Sequence, residues 1–340
     1  MKKKTFNLLF LIFLFVATIL IVRRHYDSEA PRYHVLTGYN HTYYKISYEH
    51  TQPLDSAIKA AFKAYYHALN PFDSTSVTSM VNRNKDLVVD SVFARAFGIA
   101  MQVAEETGGM FDITCAPYIN LWGFGFEKPD AVSQSAIDSI RQFTGYEKIR
   151  LAGDSIVKDD PRVMVNLAGL GDGYICDMVS DILDRAGVGN YLIDIGGEMK
   201  AKGCNEQGKT WRIGINKPVS DSTQVNNEIE LVLQIGEGKG IATSGDYRNF
   251  HVVDGKKYGH TINPKTGYPA CQDILSATVV ADRCAVADAY ATAFMAMGRE
   301  QAKKLKEQHP EIEYLFIYAD SLGGYAKEFS PGMEKYMVRD

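Results

Sequence analysis

Polar and glycine-bearing segments interrupt the apolar C-terminal third of this chain at three places, and these interruptions most limit how it can fold. They read SGDYRNF (244–250), HTINPKTG (260–267) and ADAYATAF (287–294), within roughly 50 residues. Further glycine motifs lie far upstream, and all of them must converge if they serve one site. We therefore expect one compact domain.

Asp288 and Thr292 are four residues apart in a segment of helical composition, so their oxygens lie on one helix face, about one turn apart. Small and apolar residues flank both nearly all round, which is typical of a buried helix. A buried carboxylate needs a partner, and a hard cation or another ligand can supply it. The alternative is a solvated aspartate beside a threonine that bonds back to its own helix.

A glycine-rich segment, NLAGLGDGYICD (166–177), follows an apolar stretch that we expect to be extended (Arg162–Leu167) and leads into a helix. Such a turn lets the backbone approach a ligand closely and presents N–H groups to it. Its spacing differs from that of a dinucleotide-binding loop, and a purely structural turn is the alternative.

Two further segments place glycine beside aromatic or acidic residues. The first, GGMFDITCAPYINLWGFG (108–125), is aromatic enough for a core or a hairpin face, and could also stack a flat heteroaromatic ring. The second, IDIGGEM (193–199), predicts a strand, as does WRIGI (211–215) after it, with Gly196 and Gly197 at a bulge or close approach.

In this order the motifs resemble those of the ApbE family, the FAD:protein FMN transferases, over about residues 39–298. The resemblance implies a Mg²⁺ site at Asp288, Thr292 and the backbone carbonyl of Gly169. Ala291, at a position that some members use as a further ligand, offers no side-chain oxygen. The positions that hold the flavin nucleotide in relatives correspond to Asn40, Phe72, Met110, Phe111, Asp112, Asn166, Asp172 and Ile262.

Three of these positions depart from the family pattern. Asp172 stands where relatives usually carry lysine, so we expect it to face a ribose, an adenine or a second cation rather than a phosphate. Asn166 replaces a common acid. Asn40-His41-Thr42 replaces the family's M-G-T signature, which weakens the expected contact at Asn40.

The activity that the resemblance implies is attack by a threonine hydroxyl of a target protein on the FMN phosphorus of FAD, with release of AMP. Mg²⁺ would neutralise the pyrophosphate. His260 is the candidate general base, because imidazole titrates near neutrality; capping of the following turn is its alternative role. Ser244, Gly245 and Arg248 are candidates for phosphate or acceptor contacts, and Thr266 and Gly267 for shaping the turn.

The N-terminus predicts a membrane segment. Lysines 2–4 precede an apolar run of about 17 residues from Phe6 to Val22, the lower limit for crossing a bilayer. No A-x-A cleavage site follows and no cysteine for lipid attachment lies near it, so we expect an uncleaved single-pass anchor, with a cleaved signal peptide as the alternative. The expected divisions are 1–24 for the anchor or signal, 25–38 for a linker, and 39–340 for a catalytic domain facing the periplasm from the inner membrane.

Composition agrees with one enzyme domain. The 340 residues are 46% hydrophobic and carry a net charge of −4, which argues against nucleic acid as a partner. Five cysteines without C-x-x-C spacing predict neither a zinc site nor a disulfide framework. Consecutive strands between about residues 191 and 253 favour an α+β fold with a mixed or antiparallel sheet, as the family resemblance also implies.

The expected helices are Asp55–Leu69, Ser91–Thr107, Ser133–Thr144, Ile175–Ala186, Ala285–Met297 and Glu300–Gln308. The expected strands include Tyr43–Tyr48, Tyr191–Ile195, Trp211–Ile215, Glu228–Gln234 and Tyr314–Tyr318. Two other functions stay open: FAD pyrophosphatase, in which water replaces the threonine, and a non-enzymatic flavin-binding protein. The resemblance implies an acceptor among the electron-transfer subunits of membrane redox complexes.

Overall fold

The computed structural model describes residues 10–20, 30–125, 132–218, 228–245, 250–253, 256–270, 273–320 and 324–338, with the backbone alone at 250–253 and 256–257. Helices and antiparallel strands alternate through these residues, so the predicted α+β class is confirmed.

Eight strands form one sheet in the order β1-β2-β5-β6-β9-β12-β13-β14, and each neighbouring pair is antiparallel. Three two-stranded sheets, β3-β4, β7-β8 and β10-β11, lie outside it. The strands are β1 (Arg32–Asn40), β2 (Thr42–His50), β3 (Ile149–Ala152), β4 (Ser155–Lys158), β5 (Tyr191–Ile195), β6 (Glu198–Lys202), β7 (Trp211–Asn216), β8 (Ile229–Ile235), β9 (Glu237–Gly245), β10 (Phe250–Val253), β11 (Lys256–Gly259), β12 (Ile274–Ala281), β13 (Glu313–Ala319) and β14 (Tyr325–Phe329).

Four helices, α2, α4, α7 and α8, form a layer on one face of the main sheet, where α7 crosses β5 and β6 and α8 crosses β9 and β12. The described helices are α1 (10–20), α2 (Asp55–Leu69), α3 (Val77–Asn82), α4 (Ser91–Glu106), α5 (Ala116–Leu121), α6 (Gln134–Arg141), α7 (Gly171–Arg185), α8 (Cys284–Met297) and α9 (Arg299–Gln308), with 3-10 helices at Tyr146–Lys148, Ala168–Leu170 and Pro331–Tyr336. All six helices expected from the sequence are present.

Successive side chains along each strand point to opposite faces of the main sheet. Both faces carry apolar residues, so the sheet contributes to two cores. Val279 and Phe316 belong to the core beneath the helix layer, whereas Val280 and Leu315 belong to a second core on the other face. The β7-β8 pair and the last 3-10 helix contribute to that second core. The core between the helix layer and the sheet therefore fixes α7 and α8 against the central strands.

One sequence expectation about the chain's path is wrong. Residues 32–38, expected to be linker, form most of β1, because every residue from Arg32 to Asn40 pairs with β2. Residues 163–167, within the stretch expected to be extended, are neither helix nor strand, and Asn82 pairs with both backbone groups of Val165. The glycine turn after it forms a 3-10 helix and the first turn of α7, which starts four residues earlier than expected.

The predicted membrane segment lies partly outside the described residues, at 6–9 and 21–22. Residues 10–20 are helical, and among the described residues no helix is long and apolar enough to cross a membrane. Four cysteines are described and none forms a disulfide; Cys271 lies outside the described residues.

Candidate active site

The buried helix α8 meets the first turn of α7 at Gly173. A methyl group there would overlap the carbonyl group of Cys284, so glycine permits this close approach. The Gly173 amide donates a hydrogen bond of 3.1 Å to Oδ2 of Asp288. The N-terminal end of α7 thus faces the Asp288 carboxylate and favours its charged form.

Thr292 lies one turn beyond Asp288 and faces the same side. Its hydroxyl donates a hydrogen bond of 3.3 Å to the carbonyl oxygen of Gly169, and its Oγ1 lies 3.4 Å from Oγ of Ser244. The structure therefore brings the three predicted metal ligands together, from α8 and from the 3-10 turn before α7. The alternative, a solvated aspartate beside a threonine bonded to its own helix, is wrong at both positions. Asp288 is only 7% exposed, and Thr292 bonds to the segment before α7.

Asp172, Glu198 and Asp288 form an acidic cluster, in which Asp288 is buried and the other two are half-buried. Burial raises the pKa of Asp172 to about 6 and holds the pKa values of Glu198 and Asp288 well above their usual range. The Asp172 charge raises the pKa of both other groups further, while the Gly173 hydrogen bond opposes the shift at Asp288. A cation beside this cluster would lower all three pKa values.

The donor groups suit a hard cation. Among the described residues no group of three or more His, Cys, Asp or Glu side chains is arranged to hold a metal. The predicted set instead combines the Asp288 carboxylate with the Thr292 hydroxyl and the Gly169 carbonyl. All three are oxygen donors, which Mg²⁺ prefers, and Mg²⁺ usually completes its coordination with water and substrate phosphate.

Asp172 faces the turn between β5 and β6. Its Oδ2 occupies the space that a side chain on Gly196 would need. Gly196 also has a φ of 70°, so both the lack of space and the backbone conformation require glycine there. Asp172 is thus placed beside the family's IDIGGE segment. Its neighbour Glu198 was not predicted as a site residue, although its position directly after Gly196-Gly197 is a signal that could have identified it.

A cavity of about 450 Å³ contains this corner and most of the predicted site. Its size is within the range of small-molecule sites. The predicted residues that line it are Met110, Phe111, Asp112, Asn166, Gly169, Asp172, Ser244, Gly245, His260, Ile262, Asp288 and Thr292. Ile119 and Phe124 add apolar surface. Arg248, another predicted contact, lies outside the described residues.

Asp112 lines the cavity, and both its oxygens accept hydrogen bonds from the fold. Oδ1 accepts from the amide and the hydroxyl of Thr114, at 2.7 and 2.6 Å, and Oδ2 accepts from the amide of Tyr146 at 3.0 Å. Burial raises the pKa of Asp112 against the opposing effect of these bonds. Asp112 therefore fixes the shape of the segment that carries Met110 and Phe111.

His260 follows β11 and lines the same cavity. Its ring lies edge-on to Phe124, with 6.4 Å between centroids. The next turn is held by Asn263, whose Oδ1 accepts from the amides of Lys265 and Thr266. Thr266 and Gly267 shape that turn, as expected: the Gly267 carbonyl accepts from Trp122 Nε1 at 2.9 Å.

Asn40 and Phe72 do not line this cavity. Phe72 is 74% exposed and lines a second cavity of about 330 Å³, which shares Ala168 and Asp172 with the first. Asn40 ends β1 and accepts a hydrogen bond from the Tyr66 hydroxyl at its backbone carbonyl. Both residues therefore lie beside neighbouring openings, and their contact with flavin stays a prediction.

Comparisons with known proteins agree with this architecture. A model of the ApbE family matches residues 40–316. The FAD:protein FMN transferase of Vibrio cholerae is 39% identical over 241 residues, covering 69% of this chain and 70% of that protein. Its counterpart from Escherichia coli (strain K12) is 31% identical over 298 residues, covering 84% of this chain and 82% of that protein.

Solved structures show the same likeness in three dimensions. The flavin transferase ApbE from Vibrio cholerae matches with a TM-score of 0.80 at 30% identity, covering 90% of this chain and 99% of that one. The ApbE protein from Thermotoga maritima matches with a TM-score of 0.78 at 25% identity, covering 91% and 100%. The sequence motifs, the antiparallel sheet and these relatives lead to one conclusion: the chain belongs to the ApbE family.

Proposed function

We propose that this protein is an FAD:protein FMN transferase, which moves the FMN part of FAD onto a threonine hydroxyl of a target protein. The observation that carries the proposal is the convergence of Asp288, Thr292 and the Gly169 carbonyl in one cavity with His260. The curated relatives bear the same enzyme name, which supports it.

Mg²⁺ fits the donor set at Asp288, Thr292 and Gly169. A bound Mg²⁺ would supply charge neutralisation for the pyrophosphate of FAD. The acidic cluster supports this assignment, because loss of contact with water makes the Glu198 and Asp288 carboxylates costly to ionise until a cation is nearby.

The other side chains divide into apolar and polar groups. Met110, Phe111, Phe124 and Ile262 give the cavity apolar surface that suits a flavin ring. The helix N-terminus at Gly173 stabilises the Asp288 carboxylate, and the hydroxyls of Ser244 and Thr292 lie 3.4 Å apart in the same cavity. Little covalent work is then required of the protein beyond positioning and charge stabilisation.

The chemical step joins the threonine oxygen to the FMN phosphorus and breaks the bond from that phosphorus to the bridging oxygen, which leaves with AMP. The hydroxyl proton passes to His260. Imidazole suits this role because its usual pKa lies near neutrality, and His260 faces the cavity that contains the predicted metal ligands.

The test uses the full-length protein with FAD, Mg²⁺ and a threonine-bearing acceptor polypeptide. Mass spectrometry should show the gain of one FMN on the acceptor, with one AMP released for each, and EDTA should abolish both. AMP without a modified acceptor would mean a pyrophosphatase instead. FAD binding without either product would mean a flavin-binding protein.

We also propose that the N-terminal segment anchors the enzyme in the inner membrane with the catalytic domain on the periplasmic side. The apolar run between Phe6 and Val22 supports this, as does the absence of an A-x-A site after it. An electron-transfer subunit of a membrane redox complex is the corresponding acceptor. Release of the chain from membranes by alkaline carbonate would contradict the anchor.

A further inference from the structure

A groove of about 460 Å³ runs along the outer side of α2, outside the site described above. Its lining includes the basic or titratable residues Lys59, Lys63 and His67, the aromatic residues Tyr44, Phe62 and Tyr66, and one acid, Asp73. We call it the basic groove.

The basic residues of the groove form one stripe along α2. Lys59, Lys63 and His67 recur every four residues and so share one helix face over about 12 Å. All three are exposed. In the part of the chain that the structure describes, neither lysine forms an ion pair, although the chain as a whole carries a net charge of −4. The two lysines outnumber the one carboxylate in the groove, Asp73, so the groove keeps a local excess of positive charge on an acidic protein.

The aromatic residues of the groove pack together and form its partly apolar floor. The rings of Tyr44 and Phe62 lie 4.7 Å apart between centroids, and those of Phe62 and Tyr66 lie 6.4 Å apart. His41 continues the row at 4.8 Å from Tyr66, whose hydroxyl is tied to the backbone of Asn40. This floor is fixed by the β1-β2 turn and by α2.

The groove is continuous with the active site. His41, Tyr66 and Asn70 line both the groove and the second cavity, and Ala168 and Asp172 line both the second cavity and the main one. A chain lying in the groove would thus approach the site from its rim.

We propose that the basic groove docks an acidic segment of the acceptor polypeptide, next to the residue that receives FMN. This inference rests on the proposed function. A polypeptide fits better than a nucleotide, because the charges are spread along an open stripe and stay in water, whereas the main cavity already supplies an enclosed site. Exposed charges of this kind act mainly on the rate and selectivity of encounter.

The test compares two synthetic probe peptides that each contain one threonine. They differ only at four flanking positions, which are glutamate in the acidic peptide and lysine in the basic one. Binding to the full-length, FAD-loaded protein is measured by fluorescence anisotropy, and FMN transfer by mass spectrometry. The wild-type protein should prefer the acidic peptide by about tenfold or more at low salt, and the preference should fade as salt is added.

The decisive variant is Lys59→Glu with Lys63→Glu. It should reverse the preference toward the basic peptide and leave FAD affinity unchanged. Lys209→Glu with Lys304→Glu is the matched control, since it makes the same change in net charge at exposed lysines outside the groove. The control should keep the wild-type preference.

An unchanged preference in the groove variant, or an equal change in the control, would overturn the docking proposal even if FMN transfer proceeds. Acidic-peptide binding that depends on Lys59 and Lys63, without FMN transfer by the wild type, would support docking while the proposed reaction fails. No preference for the acidic peptide in the wild type would also overturn the docking proposal.

Discussion

Asp177 of α7 and Lys200 of β6 form a buried ion pair, with 2.7 Å between Oδ1 and Nζ. The same carboxylate accepts hydrogen bonds of 3.0 Å from the amides of Cys284 and Ala285, the first two residues of α8. Arg283, the residue before α8, provides no side-chain cap for that helix. Asp177 therefore serves as a cap supplied by another helix, and it fixes where α8 begins.

Replacing Asp177 by asparagine should strongly destabilise the fold. Asp177 is fully buried and Lys200 is 8% exposed, so the change leaves a buried ammonium group without its anion. Breaking such a pair typically costs about 3–5 kcal/mol in the free energy of unfolding. Urea unfolding measures this, with Asp184→Asn as the control, since Asp184 pairs with Lys202 at the surface. That control should lose about 1 kcal/mol or less, and equal losses in the two variants would contradict the stabilising role of the buried ion pair.

Much of this arrangement could be predicted from the sequence because local patterns determine it. Apolar residues all round predicted that α8 is buried, and the spacing of Asp288 and Thr292 placed both oxygens on one face. The family motifs identified most residues that line the main cavity. These features depend on residues close together in the chain, where spacing translates directly into geometry.

The remaining features depend on contacts between distant segments. Nothing in the sequence pairs Asp177 with Lys200 or sets Glu198 beside Asp288, because those relations arise from the packing of α7 and α8 on the sheet. Residues 32–38 looked like a polar linker, yet pairing with β2 makes them a strand. The hydrogen bond that Asp112 accepts from Tyr146 likewise joins distant segments, while the contact of Asp112 with the flavin nucleotide stays a prediction.

Asp288→Asn should impair the metal site without destabilising the fold. Asparagine has nearly the same shape, and its carbonyl oxygen can accept the Gly173 hydrogen bond, so the metal-free variant should be at least as stable as the wild type. Mg²⁺-dependent FMN transfer should fall by about 100-fold or more, since metal charge stabilisation is worth several kcal/mol. Turnover near the wild-type rate in Mg²⁺ would remove Asp288 from the ligand set.

Thr292→Val and Thr292→Ser test the second ligand as a matched pair. Valine keeps the branched shape but removes the hydroxyl that lies 3.3 Å from the Gly169 carbonyl, whereas serine keeps the hydroxyl. We expect weaker Mg²⁺ binding, measured by calorimetry, in the valine variant and nearly normal binding in the serine variant. Equal affinities in the two would show that the hydroxyl is not a ligand.

The metal-free protein should lose stability as pH rises through the acid range. Burial raises the pKa of Asp172 from 3.8 to about 6, so the folded protein keeps this proton to about pH 6 whereas the unfolded chain loses it near pH 4. The folded state binds more protons in between, and the free energy of unfolding therefore falls with pH there, by up to about 3 kcal/mol for this group. Urea unfolding in EDTA at pH 4.5 and 6.5 measures the fall, which Asp172→Asn should reduce. An equal fall in the free energy of unfolding in wild type and variant would show that Asp172 does not cause it.

His260→Ala should slow transfer while leaving FAD binding intact, because the imidazole is assigned to the proton of the acceptor hydroxyl. General-base catalysis is worth about 10²–10⁴-fold, so kcat should fall by that factor with little change in the Kd for FAD. Added imidazole should restore part of the rate, increasingly as pH rises through its own pKa, because only the neutral form accepts a proton. The control is Lys265→Ala, in the turn that follows, which should retain activity. An unrescued loss accompanied by weaker FAD binding would instead give His260 a structural role in the cavity wall.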